Sequence, residues 1–357
     1  MSINKILKDL NIGVIEKVDD ISKNRIAEEI AQKIVQIFKY IDYNYIITKI
    51  NKLQIYTAKI PEGITRALYS YEDDALYISE EFYNKEYNDE ILHEYVHSIQ
   101  DVRDKKENIR RLGQCIFSEF KVYGMALNEA CVQYIVSELK QEKEEKIEAY
   151  GINAMTYSKN KYPLICNLVE QLLFTTNKEI LVKSTIYGTD EFVDECIEQI
   201  GEINFSNVQS NLDDMLYASE EIIKIKNDIK QFAQKDDFIQ KTIENEEIIK
   251  KIYIDTQTII FTSYFDRMFM RIENLYDIQF YEKKLEQYKY IMGDLINNNL
   301  FEEYYESYCF KMKVKLEEKR NSILRKENLS LMVVSNNKII QFFRKIKSIL
   351  SKILEKK

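Results

Sequence analysis

Two histidines occur in the chain, and both lie in one pentapeptide, His93-Glu94-Tyr95-Val96-His97. On a helix, residues four apart lie one above the other on the same face, so two imidazoles there can bind one metal ion. Glu94 would lie about a third of a turn round that helix, where its carboxylate can take a proton from a metal-bound water. The pentapeptide therefore predicts a zinc site with Glu94 as general base. The alternative is a pair of packing or surface histidines on an ordinary helix.

A catalytic zinc site needs a third protein ligand and one open position. No third histidine exists, so that ligand must be Asp, Glu or Cys. Glu129 is the best candidate, because an apolar stripe around it predicts a second buried helix: Leu127, Ala130, Cys131, Tyr134 and Ile135. Asp190 is an alternative, although Thr189-Asp190 is also typical of a helix start. Cys131 would face elsewhere on the helix than Glu129, so we do not expect cysteine ligation.

With HEYVH at 93–97 and Asn128-Glu129-Ala130, the chain resembles the gluzincin metallopeptidases, the thermolysin-like clan, over residues 50–140. The resemblance implies one Zn²⁺ held by His93, His97 and Glu129, and a peptide or protein substrate. It also implies a zincin-like fold, in which a small sheet precedes the active-site helix and a mostly helical part follows. In that fold the strand that we predict at 75–79 lines the cleft and pairs with an extended peptide.

The chain departs from the family pattern at several positions. Gln133 stands where thermolysin-like members have an aspartate that holds the first zinc histidine, and an amide lacks the charge that raises ligand basicity. Asp101, four residues after the second histidine, is the candidate substitute. No histidine remains to stabilise an oxyanion, so we name Tyr157 and Tyr162 for that role. The alternative function is a catalytically inactive zinc-binding or interaction protein on a peptidase-like fold.

The composition is that of a folded protein, with 45% hydrophobic and 31% charged residues among 357. A net charge of -8 argues against nucleic acid as a partner. We see no membrane span or secretory signal, and the five widely spaced cysteines are typical of reduced thiols. We therefore expect a cytoplasmic protein.

We predict an α+β fold that is predominantly α, because 8 glycines and 2 prolines leave room for long helices. β-branched and aromatic runs predict strands at 45–48, 53–57, 66–71 and 75–79. From Asn88 onward we predict helices almost throughout, including the charged run 140–148 and a helix opened by Pro163. We also predict a turn within 201–214.

Three parts follow from this pattern: 1–150 with both motifs, 151–335 as a helical subdomain, and 336–357 as a basic amphipathic C-terminal helix. The last part holds seven Lys or Arg residues, one acid and an apolar stripe at helical spacing. We expect it to pack on the rest of the protein. An anionic membrane surface or a partner groove is the alternative.

Overall fold

The structure is a computed structural model that describes residues 5–61, 65–83, 88–118, 122–231, 236–291 and 299–354. Within these ranges most residues are helical and the strands form three small sheets, which confirms the α+β, predominantly α class. The chain divides into two compact units, Met1–Tyr264 with Tyr288–Asn298, and Phe265–Gln287 with Asn299–Lys357. Residue 150, where we predict a subdomain boundary, lies within the first unit, and that boundary stays a prediction.

The helices of the described residues are α1 Lys5–Asp9, α2 Asp20–Ile37, α3 Tyr43–Lys52, α4 Asp89–Ile99, α5 Met125–Lys140, α6 Pro163–Thr175, α7 Lys178–Tyr187, α8 Glu191–Ile200, α9 Glu202–Gln231, α10 Asp236–Met270, α11 Leu275–Ile291 and α12 Asn299–Leu354. The strands are β1 Gly13–Lys17, β2 Gln54–Lys59, β3 Ala67–Ser70, β4 Ala75–Ser79, β5 Asp101–Arg103, β6 Ile109–Leu112, β7 Cys115–Phe117, β8 Val122–Tyr123, β9 Glu145–Ala149 and β10 Ile152–Thr156.

The first sheet has the strand order β1-β2-β4-β3 and places a strand beside helix α4. β2 and β4 are parallel, whereas β3 runs antiparallel to β4 and forms the edge of the sheet opposite β1. The strand at 75–79 is therefore an interior strand, and our prediction that it lines a cleft and pairs with a peptide is wrong. β3, which lies against α4, takes the edge position instead.

The segment 45–48 is helical, so the predicted strand there is wrong. It belongs to α3, where the Asp42 carboxylate accepts from the backbone N–H of Asn44 at 2.7 Å and so caps the helix. Ile46 and Ile50, one turn apart, are fully buried. Packing of this one face overrides the β propensity of the branched side chains.

The predicted helices after Asn88 are interrupted by two further sheets. β5 to β8 form an antiparallel four-stranded sheet, and β9 pairs with β10. The charged run 140–148 is therefore not helical: α5 ends at Lys140, and β9 turns into β10 through Tyr150 and Gly151. Both turn residues have positive φ, 52° and 71°, as a two-residue hairpin of type I′ requires.

Two helix starts and one turn agree with the prediction. Asn88 caps α4 by accepting from the N–H of Ile91 at 2.9 Å, and Pro163 is the first residue of α6. The turn that we predict within 201–214 lies at Gly201, which has φ of 92° and separates α8 from α9. The rest of that range is helical.

Helix α5 lies at the centre of the first unit. Leu127, Cys131, Val132, Ile135 and Val136 are fully buried, so the helix is enclosed on nearly all sides. It packs against α4, α6 and α9. Whatever α5 carries is consequently held by the core of this unit.

The second unit is built from the end of α10, most of α11, and α12. The ring of Tyr281 packs edge-on against Phe265 with the centroids 5.5 Å apart, and the hydroxyl of Tyr308 donates to Asp266 at 2.7 Å. Residues 336–357 fall in α12 as far as Leu354, and most of their side chains lie outside the described part of the structure. No helix among the described residues has both the length and the hydropathy needed to cross a bilayer.

Candidate metal centre

Helix α4 carries the HEYVH pentapeptide with its ligand face turned inward. Leu92, Tyr95, Val96 and Ile99 anchor the helix and are at most 1% exposed. His93 and His97 are themselves buried, at 2% and 6% exposure. The imidazoles are therefore held in place by packing along the whole helix.

Glu129, one turn into α5, meets both imidazoles. Its Oε2 lies 3.1 Å from Nε2 of His93, and its Oε1 lies 3.2 Å from Nε2 of His97. The two Nε2 atoms are 2.9 Å apart. Of the three residues that we predict as ligands, the structure thus brings all three to one point.

The other nitrogen of each imidazole faces an amide oxygen. Nδ1 of His93 lies 3.2 Å from Gln133 Oε1, and Nδ1 of His97 lies 2.9 Å from Gln100 Oε1. When both amide oxygens accept, each Nδ1 carries the hydrogen and each Nε2 presents a lone pair to the other and to the Glu129 carboxylate. In that state three acceptors face each other, an arrangement that a cation would compensate.

Burial and mutual contact shift the pKa values of all three residues of this cluster. Burial lowers the pKa of His93 below its ordinary value. Burial also opposes a charge on His97, but the Glu129 carboxylate outweighs it and raises the pKa of His97. Although burial works in the opposite direction, the two imidazoles hold the pKa of Glu129 well below its usual range. Without a metal ion, one proton shared by the cluster is the available compensation.

The donor set and its spacing fit zinc. Two nitrogens and a carboxylate oxygen are the ligands of the His₂Glu catalytic zinc sites. Ligands of a tetrahedral zinc ion lie about 3.3 Å from one another, and the spacing here is 2.9–3.2 Å. The chemistry of the residues present therefore matches a divalent ion with a vacant fourth position.

Glu94 lies on the same helix, one residue past His93, and faces the same cavity. Its Oε2 accepts from the backbone N–H of Tyr69, on edge strand β3, at 2.8 Å. This bond fixes the direction of the carboxylate while leaving Oε1 without a bond among those found in the described residues. Glu94 is thus oriented by the strand that borders the site.

A cavity of about 600 Å³ opens onto the cluster. Its wall is mostly apolar and includes Leu68, Phe117, Met125, Ile165, Met215 and Ile249. Its polar groups include Glu90, Lys161 and Tyr162. Burial, reinforced by Glu129, raises the pKa of the Tyr162 hydroxyl, so that the hydroxyl keeps its proton. The cavity thus combines an apolar wall with the imidazoles and carboxylates of the cluster.

Tyr157 lies apart from this cavity. Among the described residues it is not part of the lining, and its ring packs edge-on against Tyr134 with the centroids 6.2 Å apart. Of the two predicted tyrosines, only Tyr162 faces the cluster.

The other candidate residues have different partners. The Asp101 carboxylate accepts from the Tyr69 hydroxyl at 2.6 Å and from Arg103 at 2.7 Å, so the prediction that it supports a histidine is wrong. Asp190 precedes α8 and pairs with Arg111 at 2.6 Å, away from the cluster. The group that could hold a metal among the described residues contains neither Asp190 nor Cys131.

Sequence reasoning missed two contributors, Gln100 and the backbone of Tyr69. Gln100 is fully buried three residues after His97, and its type alone gives no signal, because most glutamines are surface residues. The Tyr69 contact depends on which strand forms the edge. Only the pairing of the strands reveals it.

Comparison with protein-family models, with curated proteins and with solved structures finds no match for this chain. The site must therefore be interpreted from its own geometry.

Proposed function

We propose that the chain is a zinc-dependent peptidase of the gluzincin type. One observation carries the proposal: two imidazole nitrogens and a carboxylate converge at 2.9–3.2 Å on the wall of a cavity that Glu94 also lines. A buried cluster of acceptors is costly unless a cation compensates it. A divalent ion held by His93, His97 and Glu129 provides that compensation.

When bound, zinc would polarise a substrate carbonyl and lower the pKa of a water molecule in the fourth position. Glu94 takes the proton of the attacking water and later delivers it to the leaving amine. Its bond to the Tyr69 N–H keeps the carboxylate aimed at the cavity during both transfers. The Tyr162 hydroxyl, which keeps its proton, is the candidate donor to the carbonyl oxygen as charge develops there.

The order of the elements supports a zincin-like fold. A small sheet with an antiparallel edge strand precedes α4, α5 supplies Glu129, and helices follow. Strand β3, at the rim of the cavity through Leu68 and Tyr69, is placed to border an extended peptide. The substrate class that fits is a polypeptide in extended conformation.

Replacing Glu94 with glutamine tests the proposal. The neutral amide cannot take the proton, so Glu94→Gln should lose about 10²- to 10⁴-fold in turnover of a mixed peptide library. Its zinc content should stay stoichiometric, since Glu94 is not a ligand. Asp89→Asn is the control, because Asp89 lies on the same helix but pairs with Lys140. Retained turnover in Glu94→Gln, with the loss of activity on chelation intact, would show that the base is another group.

A catalytically inactive zinc-binding protein is the second candidate. The amide partners of both histidines favour it, because a neutral partner makes the imidazoles less basic ligands than a carboxylate would. Stoichiometric zinc without cleavage in any peptide pool would support this candidate over the peptidase.

A further inference from the structure

We propose that Gln100 and Asn128 are positioning residues that hold His97 in its Nδ1–H form, with Nε2 directed to the metal position. They form a chain of amide hydrogen bonds that is anchored on backbone groups at both ends. The inference rests on the proposed function only in taking His97 as a metal ligand. It assigns a role to Gln100, which no motif marks, and to Asn128, which directly precedes Glu129 in the chain.

The first anchor is the backbone N–H of Gln114. It donates to Asn128 Oδ1 at 2.9 Å. A backbone N–H can only donate, so the Asn128 atom that it meets must be the oxygen. The other end of the amide, Nδ2, then donates to Gln100 Oε1 at 2.9 Å. This settles which way Asn128 is turned, a choice that distance alone leaves open for an amide.

The second anchor is the backbone carbonyl of Thr185. Gln100 Nε2 donates to it at 3.3 Å, and a carbonyl can only accept. Both anchors therefore give Gln100 the same orientation, with Oε1 directed to Asn128 and to His97. His97 must donate from Nδ1, and its Nε2 lone pair points to Glu129.

Gly113 shows how closely the chain of amides is packed. It has φ of +54°, and a Cβ built at this position would collide with Asn128 Oδ1 and Gln100 Nε2. Its N–H donates to the backbone carbonyl of Gln100 at 3.3 Å. Gln100 and Asn128 are at most 1% exposed. Both amides are therefore held by the groups around them and expose almost none of their surface to solvent.

A buried amide without its partner is costly, so the orientation of Gln100 is difficult to reverse. The His93 ring is held less firmly, because its Nδ1 has one amide partner, Gln133 Oε1, at 3.2 Å. We therefore expect the His97 side of the site to be the more rigid half. Loss of the Gln100 acceptor should free the His97 ring to rotate or change tautomer.

The test compares Gln100→Met with Gln100→Glu. Methionine keeps the length of the side chain but removes the acceptor. We therefore expect the zinc dissociation constant, measured by chelator competition, to rise about 10- to 100-fold. Glutamate keeps the acceptor for His97, so zinc affinity should be retained or improved. If Gln100 had only a structural role, Gln100→Glu, which buries a charge, would lower the zinc affinity more than Gln100→Met does.

Gln171→Met is the matched control. Gln171 is also fully buried and bonded on both sides, to Asn167 and to Tyr288, and it does not line the cavity. Its zinc affinity should equal that of the wild type. Equal loss in both methionine variants would overturn the inference.

A spectroscopic measurement covers the case in which Gln100→Met fails to fold. The chain has two histidines, so the imidazole region of a ¹H–¹⁵N spectrum of the metal-free wild type is simple to assign. We expect a slowly exchanging Nδ1–H for His97, and a His97 ring without a hydrogen on Nδ1 would overturn the inference. Zinc binding without peptide cleavage would defeat the peptidase proposal alone, whereas unchanged zinc affinity in Gln100→Met would defeat the positioning role alone.

Discussion

Glu129 and Glu170 are two carboxylates inside the same unit whose pKa values are shifted in opposite directions. Glu129 faces two imidazoles, which keep it ionised. Glu170, on α6, accepts at Oε1 from the Thr156 hydroxyl at 2.8 Å and from the Tyr157 N–H at 3.1 Å. Burial raises its pKa to about 8, since these neutral donors do not compensate a full charge. The neighbours, and not burial itself, decide which carboxylate carries a charge.

The Glu170→Gln variant should remove a pH dependence of stability. The folded state binds the Glu170 proton more tightly than the unfolded chain, so this stabilisation is present below the ordinary pKa of 4.5 and is lost as the pH rises through about 8. We expect the free energy of unfolding of the variant to match that of the wild type below pH 4.5. Above about pH 8 it should exceed the wild-type value by roughly 2–5 kcal/mol. Denaturant unfolding over this pH range measures the difference.

Glu148→Gln is the control for that experiment, because Glu148 is exposed on β9. It should leave the pH profile of unfolding unchanged. A Glu170→Gln profile that runs parallel to the wild type at every pH would contradict the prediction.

Helix α5 is fixed at its N-terminus by another helix. Gly124, the residue that precedes the helix, has φ of 73° and offers no capping side chain. Asp213 of α9 replaces the cap, since its carboxylate accepts from the N–H groups of Gly124 at 3.1 Å and Ala126 at 2.9 Å. Because α5 carries Glu129, α9 takes part in setting the position of the candidate metal ligand.

Removing this cap should destabilise the protein. Asp213→Ala leaves two backbone N–H groups without their acceptor, and we expect a loss of about 1–2 kcal/mol in the free energy of unfolding. Asp214→Ala is the matched control, because Asp214 is exposed and makes neither of these two contacts. Equal stability of the two variants in denaturant titrations would show that α5 does not depend on Asp213.

The whole chain should unfold at a higher temperature with zinc than without it. A ligand that binds only the folded state adds about 2.7 kcal/mol when its free concentration is 100 times the dissociation constant. Calorimetry with and without a chelator should therefore show a lower melting temperature for the metal-free protein. Glu129→Ala should lose this response together with most of the bound metal.

Glu138→Ala separates metal loss from damage to α5. Glu138 lies on the same helix but pairs with Lys178 at its surface. The variant should keep the shift on chelation. A wild-type protein whose melting temperature changes with neither zinc nor chelator would contradict the metal site itself.

The role of the basic segment 336–357 on membranes or partners stays a prediction that vesicle binding can test.

The sequence by itself determined the local features. His93, Glu94 and His97 are arranged by the period of one helix, and Asn88 and Pro163 start helices through bonds and dihedrals that involve only a few neighbouring residues. The strands β2, β3 and β4 were also predicted, because their β-branched and aromatic runs are bounded by turn residues. Each of these features depends on interactions over a few positions.

Only the tertiary structure decided the features that join distant segments. Glu129 meets the imidazoles across 32 to 36 residues, since α5 packs against α4. The identity of the edge strand, the orientation of Gln100 and the helical state of 45–48 also depend on partners far along the chain. Burial and hydrogen-bond satisfaction are properties of the assembled core, and a pattern of residue types records them only where the partner is close in sequence.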